Sequence, residues 1–180
     1  MPDHILITYA SRSGSTAEVA ADIGATLRAD LGAGYEVDVR DVAQAGELSP
    51  YSAVVIGAPI RMDRLLPAAV QFVEQNRAAL ADKTAADFTL CVAMKDDQPD
   101  YRDHAAGFPP PLVQVKTPVS VGLFAGNVDP KRLEFPWSWI VRVFKGGMMA
   151  PGDFRQWDVI RAWARSLAPL LSGRQPVAVR

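Results

Sequence analysis

The chain has 180 residues, 49% of them apolar and 22% charged, a composition that fits one soluble globular domain and excludes disordered and fibrous classes. Its single cysteine excludes an intramolecular disulfide and fits a reducing compartment. The net charge of −1 hides a gradient, with 10 Lys/Arg against 17 Asp/Glu in residues 1–130 and 9 against 3 in residues 131–180, which reads either as a basic surface helix beside an acidic body or as a surface for an anionic partner or membrane.

In chain order, "ILITYA" (5–10) is apolar throughout and predicts a central strand. Its approach, "MPDHILITYA", lacks the basic start of a signal peptide, and none is expected. A helix is predicted over 16–31, where Val19, Ile23, Leu27 and Leu31 recur every four residues and Ser15-x-x-Glu18 has the form of a capping box. "YEVDVR" (35–40) alternates and predicts an edge strand; "AVVIGA" (53–58) is again fully apolar and central. A helix over 66–80 opens on Pro67 and lines up Val70, Val73 and Leu80. "FTLCVAM" (88–94) and "VSVGLFA" (119–125) predict the fourth and fifth strands. The last helix spans 154–171, with Asp153 as its cap and Trp157, Ile160, Ala164, Leu167 and Leu171 as its apolar stripe. Strand and helix alternate, which predicts an α/β domain with a parallel sheet. Two segments break the rhythm: 95–117, whose Pro run excludes a regular helix through 109–111, and an insertion over about 126–152. No apolar run approaches about 18 residues, so no spanning helix is expected.

The loop between the first strand and helix, "SRSGST" (11–16), has one Gly and no Lys. It therefore fits neither a dinucleotide G-x-G-x-x-G nor a P-loop. Without a Cys it cannot be the loop of a low-molecular-weight phosphatase, and the strand ends lack the acids of a phosphotransfer receiver. Four hydroxyls, one Gly and a helix amino terminus describe a cradle for a phosphate that is held and not transferred. His4 is expected before the first strand at the surface and His104 in the third loop; neither belongs to a recognisable triad. Cys91 reads as a small core residue in mid-strand. No cluster of His, Cys and carboxylates predicts a metal site.

"TYASRSGSTAEVA" resembles the flavodoxin pattern, in which a hydroxyl-rich loop after strand one holds the 5′-phosphate of FMN. "VVIGAPIRMDRLLPAAVQFV" is similar to the second flavin loop and its helix. "VSVGLFAGNVDPKRLEF", the insertion, and "GDFRQWDVIRAWARSLAP" resemble the flavodoxin-like, menaquinone-dependent protoporphyrinogen oxidase family. The resemblance implies a single domain over 1–180 with a doubly wound, five-stranded parallel sheet of order 2-1-3-4-5. It implies that Ser11, Arg12, Ser13, Gly14, Ser15 and Thr16 surround the phosphate. Pro59, Ile60, Arg61 and Met62 would flank one side of the flavin, and Met94, Lys95, Asp96 and Asp97 would open the loop on the other. Asp63 stands where this family often has Gly, and the second loop offers Ile60 and Met62 in place of a stacking aromatic.

The function that the resemblance implies is that of an FMN-binding oxidoreductase similar to protoporphyrinogen IX dehydrogenase, passing electrons through FMN to a quinone or another acceptor. The alternative is a flavodoxin-fold electron-transfer or FMN-binding module without oxidase activity. Arg61, Arg64, Lys95 and Lys131 are candidates to meet a porphyrinogen's propionates. In the insertion, Trp137, Ile140, Val141 and Phe144 fall on one helical face beside Ser138, Arg142 and Lys145. Such a face is expected to dock on its own core, on a second subunit, or on a membrane surface through residues 135–149. The expected location is cytoplasmic, with or without contact at the inner face of a membrane. No nucleic-acid partner is expected.

Overall fold

A computed structural model describes residues 3–95, 99–132 and 151–173. The strands are β1 (Asp3–Tyr9), β2 (Tyr35–Asp41), β3 (Ala53–Arg61), β4 (Arg64–Leu65), β5 (Thr84–Cys91), β6 (Val121–Ala125), β7 (Asn127–Val128) and β8 (Gly152–Asp153). The α-helices are α1 (Ser15–Leu31), α2 (Pro67–Gln75), α3 (Arg77–Ala81), α4 (Pro99–Ala106) and α5 (Trp157–Leu171). Five parallel strands lie in the order β2-β1-β3-β5-β6, with β4 folded back antiparallel on β3. This is the predicted order 2-1-3-4-5, with β5 and β6 as the fourth and fifth strands. β7 and β8 form a separate antiparallel pair at either end of the inserted segment.

The alternation of β1 divides the core. Ile5 and Ile7 point to a layer shared with Val19, Ile23 and Leu27 of α1 and with Ile160, Ala164 and Leu167 of α5. Leu6 points to the other layer, with Val54 and Ile56 of β3, Phe72 and Val73 of α2, and Leu80 of α3. Both faces of the central strands are thus covered by helices, which is why they read as unbroken apolar runs. β2 is an edge strand, as its alternation predicts.

Several local expectations are corrected. Helix α1 has Gly14 at its cap, at φ 88° with no side-chain cap bond, and Ser15 is the first helical residue. No capping box forms, because the Glu18 carboxylate is engaged by Arg132 and Arg155. Asp153 does not cap α5; it lies in β8 and accepts hydrogen bonds from Arg155. The helix predicted over 66–80 breaks at Asn76, whose side chain donates to the Phe72 carbonyl and competes with the helical ladder. The fourth strand runs over Thr84–Cys91, and residues 92–95 leave it in a 3₁₀ turn. Its start, "TAAD", has poor strand propensity and is extended because it pairs along β3, while the Val119 N–H, just before β6, donates to the Ala85 carbonyl on the other side. His4 sits inside β1, half-buried, with Nδ1 3.5 Å from Glu36 Oε2. The insertion's predicted amphipathic face lies outside the described residues.

Candidate functional site

The carboxyl ends of β1, β3, β5 and β6 open on one cavity of about 260 Å³. An open parallel sheet presents its ligand crevice there, where the chain reverses its winding between β1 and β3. Four segments line it.

The first is the loop after β1, which contributes Arg12, Ser13, Ser15 and Thr16. Ser11 and Gly14 shape the loop without lining it: the Gly14 N–H donates to Ser11 Oγ at 3.0 Å, and Gly14 takes the left-handed conformation that L-residues avoid. The helical ladder of α1 begins with Glu18 N–H donating to the Gly14 carbonyl, so the earlier N–H groups of the first turn face the cavity end of the helix. Thr16 Oγ1 is buried and has no hydrogen-bond partner among the described residues. A buried hydroxyl without a partner costs about 1–3 kcal/mol, and a ligand oxygen would relieve it.

The second segment joins β3 to β4. Pro59, Ile60, Arg61 and Met62 all line the cavity, as does Asp63. Arg61 and Arg64 close a two-residue hairpin in which Met62 and Asp63 stand at φ 50° and φ 57°. Both positions of such a turn require positive φ, normally supplied by Gly or Asn. The Met62 side chain stands out at the tip, 70% exposed.

The third segment differs from expectation. Leu90, Cys91, Val92 and Ala93 line the cavity, whereas Met94 and Lys95 do not. The 3₁₀ turn after β5 sends Met94 inward, where it packs with Ile60, Ala93 and Ala105 of α4, and Lys95 Nζ lies 5.5 Å from the centre of the Phe154 ring. Asp96 and Asp97 lie outside the described residues. Cys91 is therefore the last residue of its strand, not a mid-strand one. Burial pushes its thiol up; the N–H groups of Ala93 and Met94 oppose this, and the Asp63 carboxylate adds to it.

The fourth segment, Gly126, Asn127 and Val128, is not predicted by the sequence. Its signal was positional only: it follows a strand at the carboxyl edge of the sheet. β7 pairs with β8, Asn127 opposite Asp153, and the Phe154 N–H donates to the Gly126 carbonyl. Of the four candidate cations for propionates, only Arg61 lines the cavity. The helix α4 carries His104, whose side chain lies outside the described residues. No group of three or more metal-ligating side chains occurs among the described residues.

A family model of the flavodoxin domain matches residues 6–146. No match is found among curated proteins. Among solved structures, oxidised flavodoxin 1 from Bacillus cereus is 15% identical, with a TM-score of 0.54 over 97% of this chain and 100% of that one. Oxidised flavodoxin 2 from Bacillus cereus is 20% identical, with a TM-score of 0.55 over 96% and 99%. The rubredoxin oxygen:oxidoreductase of Desulfovibrio gigas is 17% identical, with a TM-score of 0.50; the match covers 96% of this chain and 37% of that longer one. At these identities the likeness is one of fold.

Proposed function

This chain belongs to the flavodoxin-domain family, and from that premise we propose that it binds FMN and transfers electrons through it. The observation that carries the proposal is a cavity lined by hydroxyls from one segment and largely apolar side chains from the other three. Ser13, Ser15 and Thr16, whose hydroxyl has no partner among the described residues, come from the first; Ile60, Met62, Leu90, Val92 and Val128 come from the others. That donor set suits a phosphate monoester on a flat aromatic body, and the residues fit FMN on these grounds.

When bound, FMN supplies the electron-carrying ring. The chain's own contribution is placement. The hydroxyls and first-turn N–H groups of α1 would hold the phosphate, at the favourable end of the helix dipole. Pro59 to Arg61 and Leu90 to Ala93 would flank the ring and shield it from water, with Met62 at the exposed tip of the hairpin. Asp63 also lines the cavity, where its carboxylate would disfavour gain of negative charge on the ring and so lower the potential.

Within this reading, the finer activity is that of a porphyrinogen dehydrogenase delivering electrons to a quinone or another acceptor. Support comes from the likeness of 119–135 and 152–169 to the protoporphyrinogen oxidase pattern, and from Arg61, a cation among the cavity's lining residues that could pair with a carboxylate. No helix among the described residues is long and apolar enough to cross a membrane. A quinone would then be met at a membrane surface, through residues 135–149.

Reconstitution with FMN tests the proposal. Yellow protein and quenched flavin fluorescence are expected at about micromolar concentrations; a colourless protein with unchanged flavin fluorescence would overturn it. Anaerobic addition of protoporphyrinogen IX to the loaded protein should bleach the flavin. A persistent yellow colour would leave an electron-transfer module without that dehydrogenase activity.

A further inference from the structure

The two sides of the insertion's stem meet on one carboxylate. Glu18 stands in the first turn of α1, immediately behind the hydroxyl loop. Its Oε1 accepts a hydrogen bond from Arg132 Nη1 at 2.6 Å, and its Oε2 accepts one from Arg155 Nη1 at 2.6 Å. Arg132 comes after β7 in the chain and Arg155 after β8, so one side chain clasps both sides.

Each arginine is anchored again. Arg155 donates to both oxygens of Asp153, from Nε at 2.7 Å and Nη2 at 2.6 Å, and its guanidinium lies 4.5 Å from the centre of the Trp157 ring. Its side chain is only 5% exposed. Arg132 Nη1 lies 3.5 Å from the carbonyl oxygen of Ser13, inside the hydroxyl loop, and its Nε lies 3.5 Å from Asp129. A Cβ on Gly14 would stand 3.2 Å from the same Nη1. The clasp therefore touches the loop as well as the stem.

The stem needs such a tie. β7 and β8 pair over two residues each, and so short a ladder has little stability alone. Yet Asn127 and Val128 of β7 form a wall of the cavity. Besides its continuity with β6 and the Phe154 N–H bond to the Gly126 carbonyl, the wall is held by contacts outside the ladder, and the Glu18 pairs are among them.

We propose that Glu18 is a positioning residue for the cofactor site: one carboxylate sets the Gly126–Val128 wall against the hydroxyl loop, so that ligand binding and closure of the stem support each other. The inference rests on FMN as the ligand. Coupling of this kind is reciprocal: a closed stem favours the ligand, and the ligand favours a closed stem. Among the described residues, removing Glu18 leaves the nearly buried Arg155 with Asp153 as its one remaining carboxylate and leaves Arg132 with only its two 3.5 Å contacts, to Ser13 and Asp129.

The test compares wild type, Glu18→Ala and Glu18→Gln, each shown to be folded by circular dichroism. FMN affinity is read by quenching of flavin fluorescence, and amide exchange is read in peptides covering 121–132 and 151–157. Glu18→Ala should raise the Kd for FMN about tenfold. Glu18→Gln, which keeps one acceptor, should fall between. Exchange in the stem peptides should rise in Glu18→Ala while peptides from β1 and β3 stay unchanged. FMN should slow stem exchange in the wild type and less so in the variant. An FMN Kd within about twofold of wild type, or unchanged stem exchange, would overturn the proposal, since a merely structural ion pair shifts thermal stability alone. If wild type binds no FMN, the functional reading falls, while stem exchange still judges the clasp. Should Glu18→Ala fail to fold, Arg132→Ala removes one of the two pairs; unaltered affinity and exchange there would also overturn it.

Discussion

Thr16 is the residue at which the cavity is least content without a ligand. Its Oγ1 is buried with no partner among the described residues, and Ser13 and Ser15 line the same cavity. Thr16→Val keeps the shape and removes the hydroxyl. The expected result has opposite signs: the ligand-free protein is unchanged or stabilised by up to about 1 kcal/mol, while FMN binding weakens about tenfold. Urea unfolding and flavin titration read the two separately. The loop's chemistry was legible from sequence, because hydroxyls, one Gly and a helix start can be read locally. The second loop was legible in its residues but not in its geometry: Pro59 to Met62 do line the cavity, yet nothing in "RMDR" announces two consecutive positive φ values. Antiparallel pairing of Arg61 with Arg64 imposes them. Met94 and Lys95 lie off the cavity because the strand before them ends three residues earlier than its apolar run.

At the scale of elements, the sheet is held close by a missing side chain. Gly57 of β3 sits beside Phe88 of β5 in register, and a Cβ there would stand 2.1 Å from the Phe88 ring. The ring therefore lies over the glycine and reaches Trp163 of α5 edge-on, with centroids 6.3 Å apart. Gly57→Ala should destabilise the domain by about 1–3 kcal/mol, seen as a lower urea midpoint with an unchanged slope. Phe88→Leu in the Gly57→Ala background should recover part of it, because the smaller side chain vacates the space. The apolar runs and four-residue spacings located these elements correctly. Their ends were decided by partners: Asn76 splits the second helix, Arg132 and Arg155 engage the Glu18 carboxylate, and Arg155 engages that of Asp153, in place of the two caps read from local signatures.

At the scale of the whole molecule, one carboxyl couples the fold to pH. Asp87 of β5 is fully buried, beneath the turn over Pro111–Gln114, and its Oδ2 accepts the Leu112 N–H at 3.2 Å. Burial raises its pKa from 3.8 to about 7, against the Leu112 hydrogen bond, which lowers it. A raised acid binds its proton in the folded state while the unfolded chain has lost it. The associated stability is thus fully present below about pH 4 and lost as pH rises to about 7, a change on the order of 4 kcal/mol. Asp87→Asn should flatten this slope in urea midpoints taken from pH 4 to pH 8, and should exceed wild type in stability at pH 8. The sequence by itself determined the class, the strand order implied by its family likeness, and the hydroxyl loop, because periodicity and a contiguous motif are local properties. The tertiary structure decided which residues form the rest of the cavity. It alone brought Gly126 to Val128 and residues 90–93 to the loop at 11–16, and placed Arg132 and Arg155 on Glu18. Those meetings join positions more than 70 residues apart, and only the order in which the strands pair brings such positions together.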